Sequence, residues 1–420
     1  MSAPTVIEDI RARKIFNSRG EETIEIDVIT WGGFGRASAP TGKSKGKHEV
    51  ASYPEGEVDR AVREVEEVIA PELIGMNADE QQVVDMLLHE IDGTSNFKNI
   101  GGNTAYAISM AIAEAASATR GIPLFQQLAG TFVSELPCPL GNVLGGGKHA
   151  GRNAPDIQEF LTLPTGVDSF SEAAEANVRI HEGVGHLIKK TDNSFVGGRG
   201  DEGAWTPNLG NEEALEIVSK ACETVSDELG IEVGIGLDIA ASSFWDPNKK
   251  QYVYSRDKVK RDQGEQIDFL LGLIKKYHLI YVEDPLHEED FDGFADLTRK
   301  AKECLICGDD LFTTSRERLS RGIKLKAANA IIIKPNQIGT LTDAYEAVKM
   351  AKRAHYVPVA SHRSGESVDA HLAHTAVAFG CPIIKTGVVG GERVAKINEL
   401  LRIEEALGNR AKMAEIHIGS

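Results

Sequence analysis

After residue 230, short apolar runs alternate with stretches of helical periodicity along the chain. The residues that end these runs are Asp238, Glu283, Asp309, Lys334, His362 and Lys385. From residue 283 onward, successive members of this series are 26, 25, 28 and 23 residues apart. Apolar strands that alternate with helices at this spacing are typical of a parallel β/α structure. The number of units favours an eight-stranded α/β barrel over a doubly wound sheet, with the site at the C-terminal strand ends.

The first part of the chain has a different pattern. Residues 23–30 alternate between apolar and polar and predict a strand, and helical periodicity follows at 56–71, 78–90 and 103–119. Residues 38–49, SAPTGKSKGKHE, are polar and rich in Gly and Lys and predict a loop. Residues 136–139, LPCP, suggest a domain boundary. We therefore predict a smaller α+β domain over residues 1–134 and a β/α barrel over residues 135–420.

The helical stretch at 211–229 illustrates how the barrel helices are predicted. Its apolar residues recur at a spacing of three or four, which predicts an amphipathic helix. Asn211 is a candidate N-cap, because a short polar side chain can accept a hydrogen bond from the first turn. Gly230 is a candidate C-terminal cap, because glycine adopts the left-handed conformation without steric cost.

The amino-acid composition limits the kinds of partner the protein is expected to bind and the cellular compartment in which it is expected to occur. The chain carries 46 Lys and Arg against 63 Asp and Glu, a formal net charge of −17. This acidity argues against nucleic acid or an anionic membrane as the main partner. No uncharged apolar run reaches the ~20 residues that span a bilayer, and the first residues are unlike a signal peptide. The five cysteines, an odd and scattered number, favour a reducing cytoplasm.

The Cys304-x-x-Cys307 spacing is found in metal-binding and redox sites, but the apolar residues around it argue against both roles. Both cysteines lie in the short apolar run CLIC, which predicts a strand. Residues three apart on a strand point to opposite faces, so we expect neither a disulfide nor a shared metal.

Three carboxylates, Asp238, Glu283 and Asp309, end three of the apolar runs. One such acid alone is most simply a solvated side chain at a strand end, but three together would repel unless a cation neutralised them. Carboxylate oxygens without nearby cysteine favour Mg²⁺ over zinc. Lys334 follows three isoleucines, and as a base its pKa would have to fall from about 10.4 to near 7. The alternative for Lys334 is an ordinary surface lysine.

Short segments spread over the whole chain resemble the enolase family, and they occur in that family's order and approximate spacing. The sequences of these segments are most similar to those of archaeal or bacterial members of the family. The segments are ARKIFNSRG at 12–20, SAPTGKSKGKHE at 38–49, NVLGGGKHAG at 142–151, QEF at 158–160, GDEGAWTPN at 200–208, GLDIAASSF at 236–244, VEDP at 282–285, GDD at 308–310, KPNQIGT at 334–340, SHRSGE at 361–366 and IKTG at 384–387.

This resemblance implies a lyase of glycolysis and gluconeogenesis. Its expected reaction is the reversible dehydration of 2-phospho-D-glycerate to phosphoenolpyruvate, with two Mg²⁺ per active site. The implied fold is an α+β domain packed on an eight-stranded β/α barrel whose first strands are irregular and partly antiparallel. A homodimer or an octamer is also implied, with the segment around Arg13 and Arg19 as a candidate contact.

The resemblance further implies the residues of the site. The first Mg²⁺ is expected on Asp238, Glu283 and Asp309, and Ser44 is expected to reach the second from a mobile loop. The residues expected to contact the substrate are Lys385 at its carboxylate, Arg363 and Ser364 at its phosphate, and His149, Gln158, Glu159 and His362 around it.

Two residues are expected to move protons. Lys334 is the implied base at C2, and Glu202 is the implied general acid for the departing C3 hydroxyl, with Glu159 near it. Different groups must serve as acid and base, and these two lie on separate segments. The charge that develops beside the substrate carboxylate needs stabilisation, which divalent cations provide.

Two alternatives remain open at the level of sequence. Another enolase-superfamily enzyme, such as a racemase or cycloisomerase, would share the base and the metal. Against it, Ser44, Arg363 and Ser364 suit a phosphorylated substrate. A non-catalytic scaffold or binding role could also exist in addition to catalysis.

Lys43 and Lys45 flank Ser44 where the family more often has small or hydroxyl residues. We predict that Lys43→Ala/Lys45→Ala raises KM for 2-phospho-D-glycerate and weakens the dependence of KM on ionic strength, because charge attraction to the phosphate is screened by salt. Steady-state kinetics over a range of salt concentrations measures both effects. A KM that stays at the wild-type value at every ionic strength would mean that these lysines are ordinary solvated loop charges.

Overall fold

The computed structural model of the protein describes residues 4–43, 45–151 and 153–418. The N-terminal part contains an antiparallel sheet in the order β1-β2-β3, and the predicted strand at 23–30 is confirmed as β2. The strands are β1 (Ile7–Phe16), β2 (Glu22–Thr30) and β3 (Phe34–Ser38). The helices are α1 (Val58–Glu64), α2 (Ala70–Leu73), α3 (Gln81–Asp92), α4 (Gly102–Arg120) and α5 (Leu124–Ala129), and a π-helical turn, Val65–Ile69, joins α1 to α2.

The alternating pattern of β2 determines how this sheet packs. Ile24, Ile26 and Val28 are fully buried. They recur at every second position, as a strand with one face against a core requires. Helix α4 contacts β2 and β3 so closely that a Cβ at Gly35 would lie 2.0 Å from the carbonyl oxygen of Ala111. A side chain at position 35 would therefore push the helix away from the sheet.

The C-terminal part is a closed eight-stranded barrel, as predicted. Strand β6 runs antiparallel to both of its neighbours, and the remaining pairs are parallel, which confirms the irregular start. The barrel strands are β5 (Cys138–Gly145), β6 (Glu159–Thr165), β7 (Glu232–Asp238), β11 (Leu279–Glu283), β12 (Leu305–Gly308), β13 (Ala330–Ile333), β14 (Val357–Ser361) and β15 (Ile383–Gly387).

The remaining elements surround this barrel. The short strands are β4 (Glu135–Leu136), which pairs with β16 (Lys412–Met413), and β8 (Trp245–Asp246), β9 (Gln251–Tyr254) and β10 (Val259–Arg261), which form a small sheet after β7. The helices are α6 (Phe170–Thr191), α7 (Asn211–Leu229), α8 (Gln263–Tyr277), α9 (Phe291–Lys300), α10 (Arg316–Leu325), α11 (Leu341–Arg353), α12 (His371–Phe379) and α13 (Gly391–Leu407). We propose that the domains divide between residues 134 and 135, immediately before β4.

The barrel wall separates two apolar cores, and the cysteines of CLIC lie on opposite sides of it. Cys304 belongs to the core between the strands and the helices, whereas Cys307 belongs to the core inside the barrel. All five cysteines are free and buried. The predicted placement of this pair on opposite faces is confirmed, although Cys304 immediately precedes β12 (Leu305–Gly308) rather than lying within it. Within the described ranges, no helix has the length and apolarity needed to cross a membrane.

The predicted N-cap of α7 is wrong by one residue. The helix begins at Asn211, and Gly210 precedes it and donates its N–H to Glu213 at 2.8 Å. The Asn211 side chain instead accepts the N–H of Ile157 at 2.9 Å and donates to Asp257 at 2.7 Å. These distant partners draw the amide away from the helix end. Gly230 does end the helix in the left-handed conformation, with φ of 68°.

The two parts of the chain are joined where α3 and α4 meet the start of α11. The buried carboxylate of Asp85 accepts the N–H of Thr342 at 3.0 Å and its hydroxyl at 2.6 Å. Ser109 accepts the N–H of Leu341 at 3.2 Å. Because α11 follows Lys334 in the chain, these contacts position the N-terminal part over the barrel mouth.

We predict that Asp85→Ala lowers the free energy of unfolding by about 2–4 kcal/mol, because the N–H and the hydroxyl of Thr342 lose their acceptor and a third donor loses one of its acceptors. The third donor is the side-chain amide of Gln81, at 3.0 Å. Urea denaturation followed by tryptophan fluorescence measures the change. Glu90→Ala, at an exposed position of the same helix, is the matched control and should change stability by less than about 0.5 kcal/mol. Equal effects of the two substitutions would contradict the role given to Asp85.

Candidate active site

The polar residues predicted at the strand ends converge at one end of the barrel. Asp238 and Glu283 are the last residues of β7 and β11. Asp309, Lys334 and His362 directly follow β12, β13 and β14, whereas Lys385 lies within β15. One small cavity brings together nearly all of the predicted site residues. Those that line it are His149, Gln158, Glu159, Glu202, Asp238, Asp309, Lys334, His362, Arg363, Ser364 and Lys385.

A buried lysine holds three carboxylates together. The Nζ of Lys385 lies 2.8 Å from Glu283 Oε2, 3.1 Å from Asp238 Oδ2 and 3.2 Å from Glu159 Oε2. Burial disfavours the charge on Lys385, but the three carboxylates raise its pKa well above the usual value. Burial and the neighbouring charge of Asp238 raise the pKa of Glu283 to about 7. The ammonium group thus compensates a cluster that could not otherwise stay ionised out of water.

Lys334 pairs with Asp309 in this structure. Its Nζ donates to Asp309 Oδ2, and Gln337 donates to the other oxygen of the same carboxylate at 2.9 Å. Burial lowers the pKa of Lys334, but the Asp309 charge outweighs burial, so the pKa lies above its ordinary value. The lowered pKa that Lys334 would need as a base is therefore not a property of this arrangement, in which Asp309 stabilises the ammonium form.

Two glutamates and two histidines form a second buried group in the lining of the same cavity. His149 Nδ1 lies 3.6 Å from Glu159 Oε1 and 3.7 Å from Glu202 Oε1, and His362 Nε2 lies 3.3 Å from Glu202 Oε2. Asn142 donates to Glu202 at 2.9 Å. These four ionisable side chains are nearly inaccessible to solvent, so their protonation states depend on one another.

The two carboxyl groups of this cluster titrate differently. Burial and the charge of Glu202 raise the pKa of Glu159 well above its usual range. Burial also opposes ionisation of Glu202, but the rings of His362 and His149 and the guanidinium of Arg393 lower its pKa well below the usual range. Of the two carboxyl groups, Glu159 is therefore the one that keeps a proton in this state.

Residues on both sides of Ser44 in the loop at 38–49 contact residues that line the cavity. Arg363 donates through one terminal nitrogen to both oxygens of Glu49 at 3.0 Å and through the other to Asn336 at 3.1 Å. The N–H of Lys43 donates to Ser364 Oγ at 2.6 Å. Ser44, the predicted ligand of a second metal, lies outside the described residues.

The two loop lysines face different partners. The Nζ of Lys43 lies 3.2 Å from Asp201, next to Glu202 in the chain. Lys45 donates to Ser52 at 2.9 Å. Burial and the nearby charge of Arg363 lower the pKa of Lys45. Of the two lysines, Lys45 is therefore the one whose charge acts on Arg363.

Comparison with known proteins decides the family. The family model of the enolase C-terminal TIM barrel domain matches residues 133–419, and that of the enolase N-terminal domain matches residues 7–128. The chain belongs to the enolase family. Curated enolases are similar over nearly the full length: 56% identity over 96% of this chain and 97% of the protein from Methanothermobacter thermautotrophicus, 48% over 98% and 99% for Pyrobaculum aerophilum, and 49% over 96% and 99% for Haloarcula marismortui.

Membership of this family establishes the activity at the level of the enzyme class. The chain is a glycolytic enolase, a phosphopyruvate hydratase and therefore a lyase. The racemase and cycloisomerase alternative is not supported, because the relatives that match over nearly the full length are named enolase. The resemblance recognised from the short motifs is thus confirmed for the family.

The carboxylate set of this enolase fits a hard divalent cation. Asp238, Glu283 and Asp309 supply only oxygen donors, which Mg²⁺ prefers. The ammonium groups of Lys385 and Lys334 stand among these donors and mark where positive charge is stabilised. A neighbouring group of Asp284, Asp309 and Asp310 brings its carboxylate oxygens within 4.8 Å of one another.

Several residues of the enolase site were not predicted from the sequence. Asn142, Glu49 and Asn336 each lie within one of the motifs quoted above. Nothing in the sequence indicated which residues their side chains contact. Their partners are far away in the chain: Asn142 contacts Glu202, and Glu49 and Asn336 both contact Arg363. The motifs were the only sequence signal for these three residues, and a motif does not indicate which distant residue a side chain contacts.

We predict that Asn142→Asp lowers kcat by about 100-fold or more, because a donor to Glu202 is replaced by a second carboxylate close to it. Steady-state kinetics on the folded protein measures the effect. Asn177→Asp is the matched control: Asn177 is a buried amide that contacts Thr162 and Pro139 and none of the site carboxylates. A similar fall in kcat for both variants would show that burial of any new acid, rather than its distance from Glu202, is responsible.

Proposed function

We propose that the chain catalyses the reversible, Mg²⁺-dependent dehydration of 2-phospho-D-glycerate to phosphoenolpyruvate, with Lys334 as the base at C2 and Glu202 as the general acid. The observation that carries this proposal is the position of these two side chains. They come from different segments and line one cavity that is also lined by Arg363 and Ser364. Removal of a proton and departure of a hydroxyl from neighbouring carbons need an acid and a base placed in this way.

The carboxylates of Asp238, Glu283 and Asp309 would hold the first Mg²⁺, and Ser44 would contribute to a second. When bound, these cations supply positive charge beside the substrate carboxylate, where negative charge develops as the C2 proton leaves. Lys385, already among the carboxylates, would contact the same end of the substrate. The exclusively oxygen donors of the carboxylate set support Mg²⁺ over a softer metal.

Lys334 can accept the C2 proton only as the free amine. In the arrangement described above, Asp309 stabilises the ammonium form of Lys334. The amine is therefore available when Asp309 no longer pairs with it, which links the readiness of the base to occupation of the carboxylate site. Lys334 would then hold the abstracted proton until the product leaves.

Glu202 must carry a proton when the C3 hydroxyl departs. In the described state the proton of the glutamate pair is on Glu159, and His149 lies between 3.6 and 3.7 Å from an oxygen of each carboxyl group. We infer that Glu159 and His149 supply Glu202 with the proton. Gln158 donates to Asp238 at 3.2 Å and so helps to position the Asp238 carboxylate.

Arg363 and Ser364 would bind the phosphate, because a guanidinium and a hydroxyl with its neighbouring N–H groups suit phosphate oxygens. Both face the loop at 38–49, whose Glu49 carboxylate already orients Arg363. His362 would complete the lining. Closing of this loop over bound substrate would exclude water from the proton-transfer steps.

We also propose a cytoplasmic location and a homo-oligomeric state, either a dimer or an octamer. The free, buried cysteines are consistent with a reducing compartment. Both arginines considered for a subunit contact are paired within the chain, Arg19 with Asp201 and Arg13 with Glu25 and Asp27, but Arg13 is 36% exposed and Arg19 only 17%. Arg13 is therefore the better candidate for a contact between copies.

We expect Lys334→Ala to abolish exchange of the C2 proton of 2-phospho-D-glycerate with deuterated solvent, because the substitution removes the amine that is proposed to accept this proton. Glu202→Gln should retain exchange while losing dehydration, because it keeps Lys334. Proton NMR of the substrate measures exchange, and the absorbance of phosphoenolpyruvate measures dehydration. Lys324→Ala, at an exposed position on α10, is the control and should behave as wild type. Wild-type exchange in Lys334→Ala would exclude Lys334 as the base.

Removal of divalent cations should abolish dehydration, and Mg²⁺ should restore it, because the charge that develops on the substrate carboxylate would otherwise be unstabilised. The measurement is activity after exhaustive chelation and after dialysis back into Mg²⁺. Activity that persists at the original rate after chelation would exclude the proposed metal dependence while leaving the enzyme class unchanged.

A further inference from the structure

We propose that Arg393 is a positioning residue that holds His362 in its neutral, Nε2-protonated tautomer and thereby directs the ring's N–H at Glu202. Arg393 is the third residue of α13, and its side chain is completely buried. Nothing in the sequence indicated a role for it. The inference goes beyond the proposed function, which assigns His362 only to the lining of the pocket.

The hydrogen bonds of Arg393 determine which ring nitrogen carries the proton. One terminal nitrogen of Arg393 lies 2.7 Å from His362 Nδ1. A guanidinium has no acceptor atom, so Nδ1 must be the acceptor and cannot carry a proton. The N–H of Gly387 also points at Nδ1, at 3.4 Å. With two donors directed at Nδ1, the proton of the neutral ring must reside on Nε2.

The Nε2 proton of His362 faces the carboxyl group of Glu202. Nε2 lies 3.3 Å from Glu202 Oε2 and makes no fully aligned hydrogen bond among the described residues. The charged groups that face this ring are Glu202, Arg393 and Glu366, and burial together with Arg393 outweighs the two glutamates and lowers the pKa of His362 to about 4. The ring therefore stays neutral at physiological pH, and its Nε2–H faces the Glu202 carboxyl group across 3.3 Å.

The same guanidinium also joins the two segments that carry the reacting and binding groups. It donates to the backbone carbonyls of Arg363 and Ser364 at 2.6 and 2.7 Å, and to that of Asp201 at 3.1 Å. Asp201 precedes the proposed general acid, and Arg363 and Ser364 are the proposed phosphate ligands. Arg393 thus sets the separation between the acid and the phosphate site as well as the tautomer of the ring between them.

An arginine with a purely structural role would be equally buried and would stabilise the protein to much the same extent. The test of Arg393 therefore needs a matched control variant. Lys396 lies three residues further along α13 and is also a completely buried cation. It donates to the carbonyl of Ser367 at 2.7 Å and pairs with Glu366 at 3.0 Å. It contacts neither His362 nor Glu202. Lys396→Met therefore removes a comparable buried charge without touching the tautomer.

The test is ¹⁵N NMR of selectively labelled histidine in the full-length, Mg²⁺-supplemented protein, with the His362 signals assigned by their loss in His362→Gln. In the wild type, we expect His362 to be neutral with its proton on Nε2. Arg393→Met should give a mixture of tautomers or the Nδ1-protonated form, and Arg393→Lys, which keeps a donor, should restore most of the Nε2-protonated form. Lys396→Met should leave the tautomer as in the wild type.

A kinetic measurement accompanies the spectra. Arg393→Met should lower kcat by about 10- to 100-fold, as loss of a group that orients a site residue commonly does. A wild-type His362 that is protonated on Nδ1 would overturn the proposal, and this result does not depend on any variant folding. An Arg393→Met protein with the wild-type tautomer would also overturn it. Neither spectrum requires activity, so failure of the proposed reaction and failure of this proposal are distinguishable.

Discussion

The buried cluster in which Lys385 contacts Asp238, Glu283 and the carboxyl group of Glu159 is the interaction on which the rest of the site depends. Several carboxylates in a barrel mouth repel one another and lose hydration, so they remain ionised there only if positive charge lies among them. Lys385 provides that charge from within β15, at 2.8 to 3.2 Å from three carboxylate oxygens. The barrel brings these residues together because its strands end at one rim.

The second requirement is that the proposed general acid and the proposed base stay apart while they act on one substrate. Lys334 and Asp309 form one pair, Glu202 and Glu159 form another, and all four line the same cavity. The first pair holds its proton on lysine and the second on Glu159. Each pair thus keeps a proton where burial and neighbouring charges favour it. Arg393 connects the second pair to the phosphate-binding segment through His362.

The sequence was informative where structure follows from local pattern. The apolar runs and their polar ends predicted the barrel and the location of its site, because consecutive residues determine where a buried strand lies in the chain and where it ends. The antiparallel direction of β6 followed only from family resemblance, because no local pattern encodes strand direction. Asn211 was misassigned for a related reason: the partners of its amide, Ile157 and Asp257, are distant in the chain. Glu49 and Arg393 escaped prediction on the same ground.

The thermal stability of Lys385→Met with and without Mg²⁺ tests most directly whether compensation of the carboxylate cluster organises this site. Without divalent cations, the variant should unfold at a lower temperature than the wild type, because the buried carboxylates lose their counter-charge. Saturating Mg²⁺ should then raise the midpoint of the variant by more than it raises that of the wild type, because metal binding to the native state replaces the missing charge. A variant as stable as the wild type without metal, or an equal gain from Mg²⁺ in both proteins, would contradict this view.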